Sequence, residues 1–236
     1  MQSNQFQTRT SEQAVTYDAG LRAHMNSVYS RMTLGVLVTA LVSWFVAGSE
    51  PLLQLFLGGP QKWIVMLAPL AIIWFGFNPM TMDSRKLSIS FFALAVVYGI
   101  SFAVIFIAFT GESIAKAFFI ATGMFAGLSI FGYTTKKNLD AIGSFAIMGI
   151  WGVLILSLIN IFIGNSGLGN VISIVAIIAF AGLTAWQTQT TKEMYNPAWG
   201  AESNSRMAWS AALNLYISFI AMFQTILHFV GVGRGE

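Results

Sequence analysis

The chain has no cysteine, only two histidines and five prolines, and just 9% of its 236 residues are charged. Without cysteine there is no disulfide framework, no thiolate nucleophile and no cysteine-based metal site. The redox compartment leaves no mark. Soluble proteins average about 25% charged residues; the scarcity here, with a mean hydropathy of +0.71, excludes a soluble domain. Charge is also unevenly placed. Ala141 to Thr191 is a run of 51 residues without Asp, Glu, Lys or Arg, and five more charge-free runs hold 18 to 27 residues each. A hydrocarbon core of about 30 Å is crossed by roughly 20 apolar residues at 1.5 Å rise per residue, so these runs read as transmembrane helices.

The pattern predicts an all-α membrane protein of seven spans, near Tyr29 to Ala47, Trp63 to Phe77, Leu87 to Phe109, Ile114 to Tyr133, Ile142 to Ile163, Val171 to Thr188 and Met207 to Val230. The longest run must fold as two helices. Its turn formers, Gly164-Asn165-Ser166-Gly167-Leu168-Gly169, predict a tight hairpin. The second span is short and ends at Asn78-Pro79, since proline disfavours helical geometry in the residue before it. Around the bundle we expect a flexible polar tail over residues 1–27, the transmembrane domain over 28–231 and a short tail over 232–236.

Orientation follows from the basic residues, because cytoplasmic loops carry their excess. Arg9, Arg22, Arg31, Arg85, Lys86, Lys136, Lys137, Lys192 and Arg206 fall on one side; Lys62, Lys116 and Arg234 fall on the other. The N-terminus is therefore expected in the cytoplasm and the C-terminus outside. This placement also accounts for the net charge of +3 without nucleic acid, since the cations are not gathered on one face. The polar opening Met1 to Thr16 lacks an apolar core with a small-residue cleavage site, so no cleaved signal peptide is expected.

With no charge at depth, the candidates for function are neutral. They are Asn160 in the fifth span, Gln187 and Gln189 ending the sixth, and Asn214, Tyr216, Ser218, Gln224 and His228 in the seventh. Asn214 and Ser218 stand four residues apart and share a helix face, so with Gln187 they are expected to form a polar cluster. Such groups also serve simply to hydrogen-bond helices together. Gly123-Met124-Phe125-Ala126-Gly127 permits close helix approach, as a dimer seam or, the preferred reading, as packing within the bundle. A serine hydrolase is not expected. Ser129 falls toward the cytoplasmic half of its helix and His228 at the external end of another, whereas nucleophile and base must lie within hydrogen-bond reach. No metal-ligand spacing occurs, and neither a cofactor nor an enzymatic activity is expected.

Four stretches carry a family resemblance. They are Leu21-Arg22-Ala23-His24-Met25-Asn26-Ser27-Val28-Tyr29-Ser30-Arg31-Met32, then Phe131-Gly132-Tyr133-Thr134-Thr135-Lys136-Lys137-Asn138-Leu139, Thr184-Ala185-Trp186-Gln187-Thr188-Gln189, and Leu213-Asn214-Leu215-Tyr216-Ile217-Ser218-Phe219-Ile220. In this order they resemble the Bax inhibitor-1 family of seven-span membrane proteins, in its bacterial branch, over Leu21 to about Gly231. The resemblance implies six helices around a central seventh, a calcium leak set by pH and a role in stress survival. For some bacterial relatives it implies restraint of a membrane-anchored ATP-dependent protease instead. An inner (plasma) membrane location is expected, with the lipid bilayer, calcium ions and a membrane protease as the partners to consider.

The family's pH sensor is a pair of aspartates in the sixth- and seventh-span motifs, and the matching positions here are Gln187 and Ser218. Asn138 likewise stands where the family has an aspartate after the lysines. Two close carboxylates titrate as a coupled pair; an amide and a hydroxyl have no proton to exchange in that range. The pair is expected to hydrogen-bond as a latch without sensing pH. Arg85 is the candidate for the family's arginine latch near the second span, and Asp140 is expected as a solvated loop charge within reach of Lys136. The loop Glu193 to Gly200 offers apolar side chains to the headgroup region or to a partner.

Overall fold

In the computed structural model the backbone is described over residues 2–231 and the side chains over residues 17–231. The expected tail 232–236 lies outside the described residues. Eight α-helices follow one another: α1 Gln2–Ala47, α2 Glu50–Leu57, α3 Gln61–Phe75, α4 Ser84–Ala108, α5 Gly111–Thr134, α6 Asp140–Ile163, α7 Ser166–Glu193 and α8 Gly200–Val230. One 3-10 turn, Pro197–Trp199, leads into α8. Six of the helices are long and apolar enough to cross a bilayer. The bent pair α2 and α3 is apolar enough to make a seventh span if it is counted as one.

That pair corrects the expected second span. Instead of one helix over Trp63 to Phe77, a helix of 8 residues meets one of 15 at a bend of 74°. The cause is Gly58-Gly59-Pro60 at the junction, where two flexible residues precede one with no N–H to continue the ladder. Alone, α3 spans only about 22 Å. A second correction concerns the tail. α1 runs without interruption across residue 27, and Leu21, His24 and Met25 are already buried.

Between α6 and α7 the predicted hairpin is present and tighter than its six turn-forming residues suggest. Gly164 takes the left-handed conformation at φ 66° that ends α6, and the Asn165 side-chain oxygen accepts the Leu168 N–H at 2.9 Å to start α7. At the N-terminus of α4, the Asp83 carboxylate accepts the Lys86 N–H in the same manner.

α8 is the core. Its faces pack on α1, α4, α5 and α7, with Leu215, Tyr216 and Met222 fully buried. α3 leans on α4, and α6 packs against α7 alone, so four helices rather than six enclose the central one. α6 is apolar over most of its surface, which suits a helix whose outer faces meet lipid. Trp209, near the start of α8, is buried between Phe91, Phe92 and the Arg31 guanidinium.

Candidate functional site

Alternating crossings bring the basic half of α1, the α3–α4, α5–α6 and α7–α8 connections and the start of α8 to one end of the bundle. Its long-range contacts are polar. Arg31 donates to the Ser205 carbonyl at 2.8 Å and its hydroxyl at 3.1 Å, while its guanidinium lies 4.3 Å from the Trp209 ring centre. Glu202 accepts from the Ser84 N–H at 2.7 Å and the Ser84 hydroxyl at 2.8 Å, tying α8 to the start of α4. Lys192 donates to the Tyr133 carbonyl at 3.1 Å.

Gln187 and Ser218 meet where α7 crosses α8. The Ser218 hydroxyl donates to the Gln187 side-chain oxygen at 2.9 Å, and Ser218 is 1% exposed. The two residues singled out by resemblance are thus direct partners. Beside them Thr188 lies 3.5 Å from the Ser129 hydroxyl and 3.3 Å from the Tyr29 hydroxyl, linking α7 to α5 and α1. This hydroxyl chain escaped sequence reading, because isolated Ser, Thr and Tyr residues in apolar helices carry no partner information.

The wider polar cluster does not form. Asn214 is exposed, although it stands one turn from Ser218. Tyr216 faces the opposite side, fully buried with its hydroxyl 2.7 Å from that of Thr39 on α1 and its ring edge-on to Phe91. Gln189 is buried and clamps the α5–α6 connection, accepting the Leu139 N–H at 2.8 Å and donating to the Lys137 carbonyl at 2.9 Å. Tyr216 and Gln189 thus serve two different seams, and Asn214 serves neither.

Arg85 is exposed and makes no hydrogen bond or ion pair among the described residues. Arg206 is the arginine that holds the α3–α4 loop: it donates through Nε to the Pro79 carbonyl at 2.8 Å and through Nη2 to the carbonyls of Pro79 and Met80. A guanidinium on α8 is 127 residues from that loop in sequence, so spacing gave no signal. Asp140 finds a different partner from the one expected. Its carboxylate accepts the Trp186 indole N–H at 3.0 Å, and Asn138 caps the turn by accepting the Asp140 N–H at 2.7 Å.

Small residues act at another place than foreseen. A Cβ added to Gly123 or Gly127 meets nothing within 4 Å, so that stripe is not an internal seam. Buried Phe125, Ser129 and Gly132 define the inward face of α5, and Gly132 is where α5 touches the Ala185 carbonyl of α7. Ser129 and His228 stay apart. Ser129 neighbours Thr188, whereas His228 is exposed beside Phe109 at the other end of the bundle.

A charge-poor bundle of six long helices and one bent pair, knit by neutral hydrogen bonds around a central helix, is an integral membrane protein of the all-helical class. Over residues 21–235 the chain matches the family described as Inhibitor of apoptosis-promoting Bax1, and it belongs to that family. It is similar along nearly its whole length to an uncharacterized protein of Rickettsia prowazekii, 36% identical over 95% of this chain and 96% of the relative. An uncharacterized protein of Caulobacter vibrioides is 34% identical over 93% and 92%. The inner membrane protein YbhL of Escherichia coli is 32% identical over 95% and 97%.

Proposed function

We propose that this protein is a non-enzymatic calcium leak of a bacterial inner membrane, closed by a neutral latch at Gln187 and Ser218 and unresponsive to pH through that site. The observation that carries the reading is the 2.9 Å Ser218–Gln187 hydrogen bond at the positions where the family places its titrating pair. Family membership supports the leak. The name of the YbhL relative supports the membrane, and the excess of Lys and Arg at one end supports a cytoplasmic placement of that end. Calcium prefers several oxygen ligands that include carboxylates. An amide and a hydroxyl would hold it weakly, which suits passage better than storage.

Purified protein in liposomes loaded with a calcium dye tests this. Flux should be measurable and should stay flat between acidic and alkaline buffer. The double variant Gln187→Asp with Ser218→Asp should gain a pH-dependent flux, because two adjacent carboxylates resist ionising together. A steep pH response of the unaltered protein, or no flux from either form, would count against the proposal.

A second reading, a regulator that binds a membrane-anchored ATP-dependent protease, is favoured by one surface. Trp199 and Met80 are exposed together at the basic end, flanked by Arg206 and Met207. A stoichiometric protease copurified from native membranes, with no flux from pure protein, would select this reading over the leak.

A further inference from the structure

The ring of helices around α8 is open between α1 and α5. α1 packs on α4 and α8, and α5 on α7 and α8, but between α1 and α5 lies a groove floored by Phe219 of α8. Two cavities of about 580 and about 320 Å³ fill it end to end, sharing Val36, Phe118 and Phe219 in their walls. The larger one follows α1 from Arg22 to Val36, roughly 21 Å of helix. Half of a bilayer with its headgroups is about 20 to 22 Å. The larger cavity thus matches the length of one leaflet.

Its two ends differ in chemistry. Below the mouth the walls are Met32, Phe125, Ala126 and Ile130, and the small residues of α5 beside them, Gly123 and Gly127, leave the opening unobstructed. At the mouth stand Arg22, Asn26 and Tyr133. Arg22 is exposed with no carboxylate partner among the described residues. Lys192 reaches the same corner, its ammonium 3.1 Å from the Tyr133 carbonyl and 5.2 Å from the Tyr133 ring centre. Lys136 and Lys137 follow Tyr133 within four residues, and no carboxylate lines either cavity. An apolar slot one leaflet long, with a cation and no carboxylate lining its mouth, is complementary to a lipid with an anionic head. A partner helix would need a carboxylate of its own at the mouth, whereas every anionic phospholipid carries the charge there.

We propose that the α1–α5 groove binds one anionic phospholipid from the bilayer, its phosphate at Arg22 and Lys192 and an acyl chain lying along α1 over Phe219. The lipid completes the wall around α8, covering the gap that no helix fills. Tyr29 and Ser129 in its wall adjoin Thr188 beside the Gln187–Ser218 bond, but the proposal does not depend on the leak.

Native mass spectrometry of the full chain, extracted from vesicles of phosphatidylglycerol and phosphatidylcholine in equal parts, tests it. The unaltered protein should retain one phosphatidylglycerol. Ala126→Phe, or Thr122→Trp if the first variant does not fold, should abolish retention without lowering the lipid-free melting temperature. Arg22→Gln should cut the preference for phosphatidylglycerol about fivefold and Lys192→Gln by a similar factor. Equal retention of both lipids by the unaltered protein, or retention unchanged by the groove-filling variants, overturns the proposal. So does efficient disulfide cross-linking of Ala126→Cys between two copies, which is clean to read in a chain without native cysteine. That result would give the groove to a second molecule.

Discussion

The two ends of the bundle are similarly polar and differently wired. At the basic end, hydrogen bonds join residues far apart in sequence: Arg31 to Ser205, Arg206 to Pro79, Glu202 to Ser84 and Gln189 to Leu139. At the far end most bonds are local, the Ser101 hydroxyl to the Val65 carbonyl being a long-range one. Asn160 serves Asn165, Ser173 serves Gly169 and Thr225 serves Ala221, all within five residues. There α6, α7 and α8 spread around a polar cavity of about 750 Å³ lined by Ser157, Asn160, Gln224 and His228 among others. Neutral polar side chains at such a depth suit a water-filled vestibule. If the protein leaks as proposed, its barrier is expected on the basic side of this cavity, where the Ser218–Gln187 bond joins α7 to α8.

The largest effect should come from prying that end apart. In Gly132→Leu the side chain is driven into the Ala185 backbone of α7, and neither helix can yield without moving the other. Overpacking of this kind costs about 1 to 3 kcal/mol and occasionally more. The apparent melting temperature in detergent should fall by many degrees, or the variant should fail to accumulate. Gly127→Leu is the control on the same helix. With nothing within 4 Å of its added Cβ, it should melt within a degree or two of the parent; a comparable loss there would mean that α5 is oriented differently.

Next in size is Arg206→Ala. It leaves the carbonyls of Pro79 and Met80 without their cation and frees the α3–α4 loop from α8. Hydrogen bonds to a charged group are each worth about 1.5 to 3 kcal/mol. The expected signs are a lower melting temperature and faster proteolysis in the loop between Gly76 and Asp83. Arg85→Ala, which removes a side chain with no partner among the described residues, should change neither. If the two variants behave alike, the Arg206 contacts do not hold the loop to α8.

Much of this architecture is legible in the chain, for a physical reason: bilayer thickness dictates span length, so charge-free runs locate helices even where periodicity is weak. The Gly164-Asn165 hairpin reads out for the same kind of reason, since a left-handed cap and an Asn start signal are local chemistry. What stays hidden is which way each helix faces. In lipid the outer face is as apolar as the inner one, so Gly123 and Gly127 look as ready to pack as Gly132, and Asn214 looks as inward as Ser218. Partners across helices are hidden as well. Nothing local tells Trp186 that Asp140 will accept its indole N–H. The break between α2 and α3 was written in Gly58-Gly59-Pro60, but lay just outside the charge-free run that defined the second span.

Ser218→Ala should be the mildest of the three changes and the most informative about the latch. It removes one hydroxyl from a buried pair and leaves Gln187 able to rotate toward other donors. Hydrogen bonds between membrane helices average about 0.6 kcal/mol and reach about 2, so the melting temperature should drop only slightly. Flux is the sharper readout. If the Ser218–Gln187 bond holds α7 against α8 at the closed end, its loss should raise the calcium leak severalfold while the fold survives. Gln224→Ala, at the hydrated far end and without a hydrogen-bond partner among the described residues, should leave the leak unchanged. An equal rise in both variants would place the barrier elsewhere than the basic end and dissolve the contrast between the two ends.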